Sequence, residues 1–370
     1  MKTLILADLH IHRYPQFGYE RLRMLNEFFK WFLEQVNFHK VDQVIVAGDY
    51  WHSRSSIGVE PLLLGFEFIH NLTKIVPVTI LAGQHDQLDQ VGEVSSLQVF
   101  AHKTQVVLQP KTLVSKVDKN VYFHFVPYNP FVQTVDQTIE RMASKAQSGK
   151  GLHFLIGHLS VIGGKMGPSD YLSQEGVPLK ALRAEDFDYV FLGDYHTPQK
   201  LSKNVVYVGS PIQQNFGECE QRKRVILLHT TRDGRFSVKS IPVPVEIGGF
   251  KVISEDEINT SDVENQFVRV EISDQDQVAT VRRTLLKRGA LGVDVIGVGD
   301  TSDVNLSEEE IGISADLSTD EIVIEYLKIV PPNGEIDGEY LDFVRRSSFY
   351  SGFLEEVSQG YKEGSSSNED

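Results

Sequence analysis

The sequence of 370 residues contains one cysteine, Cys219, which excludes an intrachain disulfide framework and a cluster of thiolate ligands. It also lacks any apolar run approaching the roughly 18 residues needed to span a bilayer. The first apolar run meets Asp8 too early for the core of a signal peptide. No G-x-x-x-x-G-K-[ST] loop occurs, so this chain does not carry a P-loop ATPase. We therefore expect a soluble, cytoplasmic protein with no membrane partner.

Positive charge is scarce as well, because 36 basic residues face 51 acidic ones and leave a net charge of −15. Residues 301–370 account for most of this deficit, with 17 Asp and Glu against 4 Lys and Arg. Residues 1–300 are nearly neutral, with 34 acidic and 32 basic residues. Because phosphate binding depends on the local potential, the charge neither supports nor excludes a nucleic-acid partner.

Short apolar runs alternate with helical periodicity through residues 1–235. Strands are predicted at Thr3–Ala7, Val44–Ala47, Val76–Leu81, Tyr122–Val126, Leu152–Ile156, Tyr189–Leu192, Val205–Val208 and Val225–His229. Helices are predicted at Leu22–Val36, Pro61–Leu72 and Val135–Ala146, and near Leu179–Leu182. Continuously apolar strands in strand–helix–strand order indicate parallel pairing with both sheet faces covered.

The pattern changes near residue 235. Pro242 and Pro244 predict an extended linker over Ser240–Val245. Residues 246–300 resume a strand, helix and strand order that indicates a small α+β domain. Beyond a polar stretch, helical patterns begin at Ser318 and Tyr340, and the last seven residues are expected to be disordered.

Clusters of aspartate and histidine follow five of the apolar runs. They are Asp8-Leu9-His10, Gly48-Asp49-Tyr50-Trp51-His52, Gly83-Gln84-His85-Asp86, Gly157-His158 and Gly193-Asp194-Tyr195-His196. The ends of parallel strands converge on a ligand crevice in open α/β sheets, so these clusters predict a single pocket. Carboxylates and imidazoles suit divalent ions such as Mn²⁺, whereas the absence of thiolates argues against a structural zinc site.

This ordered series resembles the calcineurin-like metallophosphoesterase superfamily, whose pattern is D-x-H, G-D, G-N-H-D, G-H and G-H-x-H. It is most similar to the DNA-repair nuclease branch, which includes bacterial SbcD, the nuclease of the eukaryotic MRN complex and a recombination endonuclease subunit of tailed phages. Gly48–His52 and Tyr207–Pro211 resemble two further motifs of that branch. The resemblance implies an α/β fold with a layered α/β/α core, a small α+β capping domain and a helical C-terminal tail.

The resemblance also implies a domain order and a set of partners. Residues 1–235 would form the nuclease domain, residues 236–300 the capping domain, and residues 301–370 an acidic linker with a helical ATPase-binding segment and a disordered end. The implied partners are double-stranded DNA ends, an SbcC-like ABC-type ATPase and a second copy of this chain. The segments Pro61–Leu72 and Val91–Phe100 match a dimerising helical bundle, although simple core packing explains them equally well. The implied location is the nucleoid of a bacterial or phage-infected cell.

Carried over position by position, the motifs imply two divalent cations, Mn²⁺ first and Mg²⁺ as the alternative. The first cation would be held by Asp8, His10, Asp49 and His196. The second would be held by Asp49, Gln84, His158 and Asp194. His85 would protonate or stabilise the leaving oxygen, with Asp86 orienting it, and His52 is a candidate for contacting the phosphate.

Two ligands of the second cation depart from the family pattern. Gln84 stands where asparagine is usual, and its extra methylene changes the reach of the amide oxygen. Asp194 stands where histidine is usual, and it adds a negative charge that would neutralise a two-cation centre carrying a bridging hydroxide. We therefore hypothesise a second metal site that is weakened or retuned.

The sequence supports three functions of different classes. The leading one is a metal-dependent DNA nuclease subunit of an SbcCD/MRN-like repair and recombination complex. It would act as a double-strand exonuclease by two-metal phosphodiester hydrolysis, with endonuclease activity left open. The alternative is a non-catalytic or weakened scaffold that binds DNA ends. A third function, a phosphatase or cyclic-nucleotide phosphodiesterase for small substrates, is disfavoured by the Y-V-G-S-P segment at Tyr207–Pro211, the predicted capping domain and the acidic tail.

Overall fold

The computed structural model describes residues 1–14, 17–89, 92–167 and 171–297. Its strands are β1 (Lys2–Leu6), β2 (Gln43–Ala47), β3 (Val78–Leu81), β4 (Gln105–Val107), β5 (Lys111–Val114), β6 (Val121–Val126), β7 (Leu152–His158), β8 (Tyr189–Gly193), β9 (Gln199–Ser202), β10 (Val205–Tyr207), β11 (Arg224–Thr230), β12 (Phe236–Pro242), β13 (Gly249–Ile253), β14 (Gln266–Ile272) and β15 (Gly292–Gly297). Its α-helices are α1 (Glu20–His39), α2 (Val59–Ile75), α3 (Val132–Ser148) and α4 (Val278–Lys287).

Two six-stranded sheets carry most of these strands. The first sheet has the order β12-β11-β1-β2-β3-β4, and the second has the order β5-β6-β7-β8-β10-β9. In the first sheet β1, β2, β3 and β4 are parallel, and in the second β6, β7, β8 and β10 are parallel. The carboxyl ends of the parallel strands are therefore the edges where functional loops are expected.

Alternating side chains along the strands explain how the layers stack. On β1, Leu4 and Leu6 join the apolar cluster that contains the buried faces of α1 and α2. Ile5, between them, joins a second cluster with Phe123 and Phe154 from the other sheet. The helix α3 covers the outer face of the second sheet. Because side chains alternate with a period of two, one run of apolar residues serves both faces of a strand.

A third sheet, β13-β14-β15, is entirely parallel. One face packs against Val281 and Leu285 of α4. Phe250 and Phe267, in contrast, belong to the same apolar cluster as α1. Residues 249–297 therefore have a small core of their own and also contribute to the larger one.

The mixed α/β class with parallel-rich sheets is confirmed, and its strand layer is double, so the layers run helix, sheet, sheet, helix. The eight strands and three of the four helices predicted within residues 1–235 are present, within a few residues of their predicted bounds. The fourth predicted helix, near Leu179–Leu182, is a short 3-10 helix. The segment predicted as a linker is instead occupied up to Pro242 by β12, which pairs with β11 at the edge of the first sheet. The predicted helices after Ser318 and Tyr340 lie outside the described residues.

Candidate metal centre

The carboxyl ends of five parallel strands from both sheets meet in one pocket. Asp8, Asp49 and His85 follow β1, β2 and β3 of the first sheet, whereas His158 ends β7 and Asp194 follows β8 of the second. Two hydrogen bonds join the sheets here. The backbone N–H of Asp194 donates to Asp8 Oδ1 at 3.0 Å, and His158 Nδ1 bonds the Ala47 carbonyl oxygen at 2.9 Å. Residues that are far apart in the sequence are therefore neighbours in space.

The Asp49 carboxylate lies at the centre of this pocket. Its Oδ2 is 3.4 Å from His158 Nε2, 3.6 Å from His10 Nε2 and 4.0 Å from His85 Nε2. Its Oδ1 accepts a hydrogen bond from the backbone N–H of His85 at 2.8 Å. Asp49 is only 3% exposed, so one buried carboxylate oxygen faces three imidazoles.

Three overlapping groups of side chains could each hold an ion, because their donor atoms lie within 4.8 Å of one another. The groups are Asp8, His10 and His196; His10, Asp49 and His85; and Asp8, Asp49 and His158. His196 Nε2 lies 3.0 Å from His10 Nε2, and Asp194 Oδ1 lies 4.0 Å from His158 Nε2. Six of the seven predicted metal ligands, all the aspartates and histidines among them, are therefore gathered in this pocket.

Glycines of the motifs make this close approach possible. A Cβ on Gly48 would collide with the His158 imidazole, and a Cβ on Gly83 would collide with the Asp49 carboxylate. Any side chain at either position would displace a ring or a carboxylate from the pocket. The glycines therefore stand where the backbone of one loop touches a functional side chain of another.

Four residues of the pocket have a left-handed backbone although none is glycine. The φ angles are 56° at Asp8, 45° at His10, 49° at Asp49 and 105° at Asp194. Such conformations cost about 1–3 kcal/mol each and persist where surrounding structure enforces them, often at functional sites. The strained backbone conformation at these four residues therefore places their side chains in the pocket at a cost in conformational energy.

The electrostatics of the pocket are those of a buried, anionic site. Burial raises the pKa of Asp8 to about 7. Burial acts the same way on Asp49, but the neighbouring His158, His10 and His85 outweigh it and lower the pKa of Asp49. Burial opposes the charging of His158, yet Asp49 and Asp8 raise the pKa of His158 well above its ordinary value. The buried carboxylates and imidazoles of the pocket therefore shift one another's pKa values strongly.

The remaining predicted residues lie beside the pocket. His85 Nδ1 bonds the His52 carbonyl oxygen at 2.6 Å, and the two rings are stacked at 5.7 Å. Asp86 is fully buried and accepts hydrogen bonds from the backbone N–H groups of Gly83, Trp51 and Tyr50 at 2.9–3.2 Å. Asp86 therefore acts on His85 through the backbone, because its carboxylate fastens the loops after β2 and β3. Gln84 is half-buried, and its side chain makes no hydrogen bond to a described residue.

Two neighbours of the pocket are not among the predicted site residues. His12 stacks on His52 with ring centroids 3.9 Å apart. Glu218 bonds His196 Nδ1 at 2.9 Å from a short 3-10 helix, Phe216–Glu218. The sequence carries no motif at Glu218, which only follows the Tyr207–Pro211 motif along the chain.

The donor set fits divalent cations. Asp8 Oδ2 is buried and, within the described chain, has no hydrogen-bond partner, which is costly for a carboxylate oxygen unless a cation faces it. Carboxylate oxygens mixed with imidazole nitrogens and no thiolate match the preferences of Mn²⁺ and related ions. The residues present therefore fit a metal centre built around Asp49.

Residues 1–198 match the family model described as calcineurin-like phosphoesterase. The chain belongs to this family. As a metallophosphoesterase it is a hydrolase whose family uses divalent metals, consistent with the clusters around Asp49.

Relatives of this metallophosphoesterase include a nuclease and other phosphoesterases. The chain is 28% identical over 233 residues to a candidate phosphoesterase, 244L, of Invertebrate iridescent virus 6, covering 61% of this chain and 76% of the relative. It is 26% identical over 286 residues to the SbcD component of the nuclease SbcCD of Escherichia coli K12, covering 66% of this chain and 69% of that one. A solved dimetal phosphatase from Danio rerio is 11% identical, with a TM-score of 0.43 over 65% of this chain and 95% of its own.

No helix in the described part of this metallophosphoesterase has the length and apolar character required to cross a bilayer.

Proposed function

We propose that this metallophosphoesterase is the metal-dependent nuclease subunit of an SbcCD/MRN-like complex that degrades double-stranded DNA from its ends. The observation that carries the proposal is the buried Asp49 carboxylate, which lies within 4.0 Å of three imidazoles. Support for DNA as the substrate comes from the Tyr207–Pro211 motif and from the similarity to a nuclease component over about two thirds of both chains. The proposed partners are an ABC-type ATPase, bound through residues 301–370, and a second copy of the chain.

Two cations would be held by the two proposed ligand sets, with Asp49 shared between them. When bound, they would polarise the scissile phosphate and lower the pKa of the attacking water. The first set consists of Asp8, His10, Asp49 and His196, and the second of Asp49, Gln84, His158 and Asp194. Mn²⁺ is the proposed ion because the sets combine imidazoles with carboxylates.

His85 is the proposed proton donor to the leaving oxygen. Its Nδ1 is engaged by the His52 carbonyl oxygen at 2.6 Å, which fixes the ring and leaves Nε2 directed toward Asp49. A histidine is suited to this task because its ordinary pKa lies near neutrality. Asp86 holds the loop that carries His85 through backbone hydrogen bonds, which makes Asp86 a positioning residue.

The test is degradation of linear duplex DNA by the purified, folded chain in saturating Mn²⁺, with and without its ATPase partner. The His85→Gln variant is expected to lose most of this activity, since Gln cannot donate the proton, while still binding Mn²⁺. His102→Gln is the matched control, because His102 is exposed and lies apart from the pocket. Absence of degradation under both conditions would refute the proposal. Faster turnover of a nitrophenyl phosphodiester with no cleavage of DNA would instead indicate a small-substrate phosphodiesterase.

A second candidate, a DNA-end-binding scaffold with an impaired second metal site, is favoured by one observation. Asp194, which stands where the family pattern has an imidazole, already accepts a hydrogen bond from Ser160 Oγ at 2.7 Å through its Oδ2. The double variant Gln84→Asn and Asp194→His restores the family residues. A change from no activity to clear activity would favour the scaffold, whereas activity already present in the unmodified chain would exclude it.

A further inference from the structure

A buried ion pair lies directly behind one proposed ligand of the first cation. Glu218 is 2% exposed and Lys223 is 6% exposed. One carboxylate oxygen of Glu218 bonds His196 Nδ1 at 2.9 Å. The other accepts from Lys223 Nζ at 2.6 Å and from the backbone N–H of Gln214 at 3.0 Å. Both oxygens of this carboxylate are therefore engaged, and its orientation is fixed from three directions.

The contact with Glu218 determines which nitrogen of His196 faces the pocket. An imidazole that donates from Nδ1 to a carboxylate presents the lone pair of Nε2, and that atom lies 3.0 Å from His10 Nε2. Two ring nitrogens at this separation, next to Asp8, have the arrangement of neighbouring ligands on one ion. A carboxylate behind a ligand histidine also raises the basicity of the coordinating nitrogen.

Lys223 fixes the main chain of the same histidine. Its Nζ donates to the His196 carbonyl oxygen at 3.1 Å and to Ser210 Oγ at 2.9 Å, in addition to Glu218. Ser210 belongs to the Tyr207–Pro211 motif, so Lys223 links this motif to the backbone of His196. The lysine charge also balances the glutamate, which a buried carboxylate requires.

The other histidines of the pocket are held differently. His158 Nδ1 and His85 Nδ1 bond backbone carbonyl oxygens, and His10 Nδ1 has no hydrogen-bond partner among the described residues. Within the described chain, Glu218 is thus the only carboxylate hydrogen-bonded to the far nitrogen of a pocket histidine. This asymmetry singles out His196 as the imidazole whose donor strength the protein adjusts.

We propose that Glu218, charge-balanced by Lys223, is a positioning residue that orients His196 and strengthens it as a ligand of the first cation. The inference rests on the metal centre of the proposed function but not on DNA as its substrate. It assigns a role in metal affinity to the Phe216–Glu218 turn, which carries none of the predicted ligands. Removing the carboxylate should weaken one metal site while leaving the other intact.

The experiment is calorimetric titration of the metal-free chain with Mn²⁺. Glu218→Gln is expected to weaken one site by about 10–100-fold, the usual effect of losing such a partner. Glu220→Gln, two residues away and exposed, is the matched control and should bind as the unmodified chain does. The visible absorption of bound Co²⁺ should shift in Glu218→Gln and not in the control, because it responds to the donor strength of the imidazole.

A charge-balanced variant separates positioning from simple stabilisation. If Glu218 served only to neutralise Lys223, the double variant Glu218→Gln and Lys223→Met would recover the Mn²⁺ affinity of the unmodified chain. We expect the double variant to stay weakened at one site, and by more than Lys223→Met alone, which removes the lysine contacts to His196 and Ser210 but keeps Glu218. The double variant also provides the test if Glu218→Gln alone does not fold. Recovery of full affinity would overturn the inference. Normal Mn²⁺ binding by the unmodified chain without DNA cleavage would refute the proposed function and leave this inference standing.

Discussion

The two sides of the metal pocket follow the family pattern unequally. On the side of the first cation, Asp8, His10 and His196 are the expected residue types, and their donor atoms lie within 4.8 Å of one another. On the side of the second, Asp194 replaces an imidazole, and Gln84 has no hydrogen bond to a described residue that directs it. Asp49 belongs to both proposed ligand sets. The comparison shows that the proposed sets, built about a single carboxylate, would differ from the family pattern on one side only.

The largest effect should come from removing what the two sides share. Asp49→Asn eliminates the carboxylate faced by three imidazoles, so both cations should be lost. Because such charge stabilisation is worth several kcal/mol, phosphodiester hydrolysis should fall by about 10³-fold or more. The measurement is the initial rate of phosphodiester hydrolysis in saturating Mn²⁺. The control is Asp256→Asn, because Asp256 is exposed. Retention of one tight Mn²⁺ site in Asp49→Asn would show that the two sides are independent.

Metal binding should stabilise the fold by a smaller amount, and mainly through the first side. At a Mn²⁺ concentration about 100 times the dissociation constant, the free energy of unfolding should rise by about 2.7 kcal/mol per site. Thermal unfolding with Mn²⁺, and again after chelation, measures this difference. If the free energy of unfolding rises in two equal steps over the same range of Mn²⁺ concentration, the two sides are equal and the prediction is contradicted. One step at low and one at high Mn²⁺ concentration would agree with it.

Restoring the family histidine should alter substrate binding moderately. Asp194→His removes one negative charge from the pocket and also the acceptor for Ser160 Oγ, which now bonds Asp194 Oδ2 at 2.7 Å. We expect KM for an anionic phosphodiester to fall about three- to tenfold, because one unit charge in a partly screened site is worth on the order of 1 kcal/mol. Steady-state kinetics at two salt concentrations checks it. An unchanged KM at low salt would mean that the Asp194 charge does not reach the substrate.

The smallest effect is expected at the amide position. Gln84→Asn shortens the side chain by one methylene and keeps its oxygen donor. The Mn²⁺ affinity of the second site should therefore change only about two- to fivefold, which is less than the change expected from the loss of a charged ligand. Calorimetric titration beside Gln87→Asn gives the comparison, since Gln87 follows on the same loop and bonds the Tyr128 carbonyl oxygen instead. If Gln84→Asn changes the Mn²⁺ affinity of the second site as much as Asp194→His does, Gln84 is a full ligand.

Much of the core can be predicted from residue pattern because its strands are continuously apolar. The short strands β4, β5 and β9 escape prediction because each contains at most two apolar residues, whereas the equally short β3 and β10 contain three. Pro242 obscures β12, although a proline is tolerated at the end of an edge strand. The division into two sheets cannot be foreseen either, because strand order along the chain does not state which strands face each other.

The sequence predicts those pocket residues that directly follow an apolar strand. It does not predict contacts between residues that are far apart along the chain and lie outside such motifs. Asp8, Asp49 and His158 follow apolar runs, and their convergence follows from sheet geometry. The contact between Glu218 and His196 depends instead on a turn that follows β10, and no local pattern encodes it. The Asp86 carboxylate likewise accepts hydrogen bonds from backbone N–H groups, and a sequence pattern does not predict such contacts because every non-proline residue has this donor.

The left-handed residues of the pocket carry a consequence for engineering this chain. Glycine would occupy the backbone positions of Asp8, Asp49 and Asp194 with less strain, yet it would remove a carboxylate each time. Thermal robustness and ion binding therefore make opposite demands on the same three positions. A laboratory selection for heat resistance alone, carried out without metal, should replace Asp194 more readily than Asp8 or Asp49, whose carboxylates accept backbone hydrogen bonds that glycine would lose.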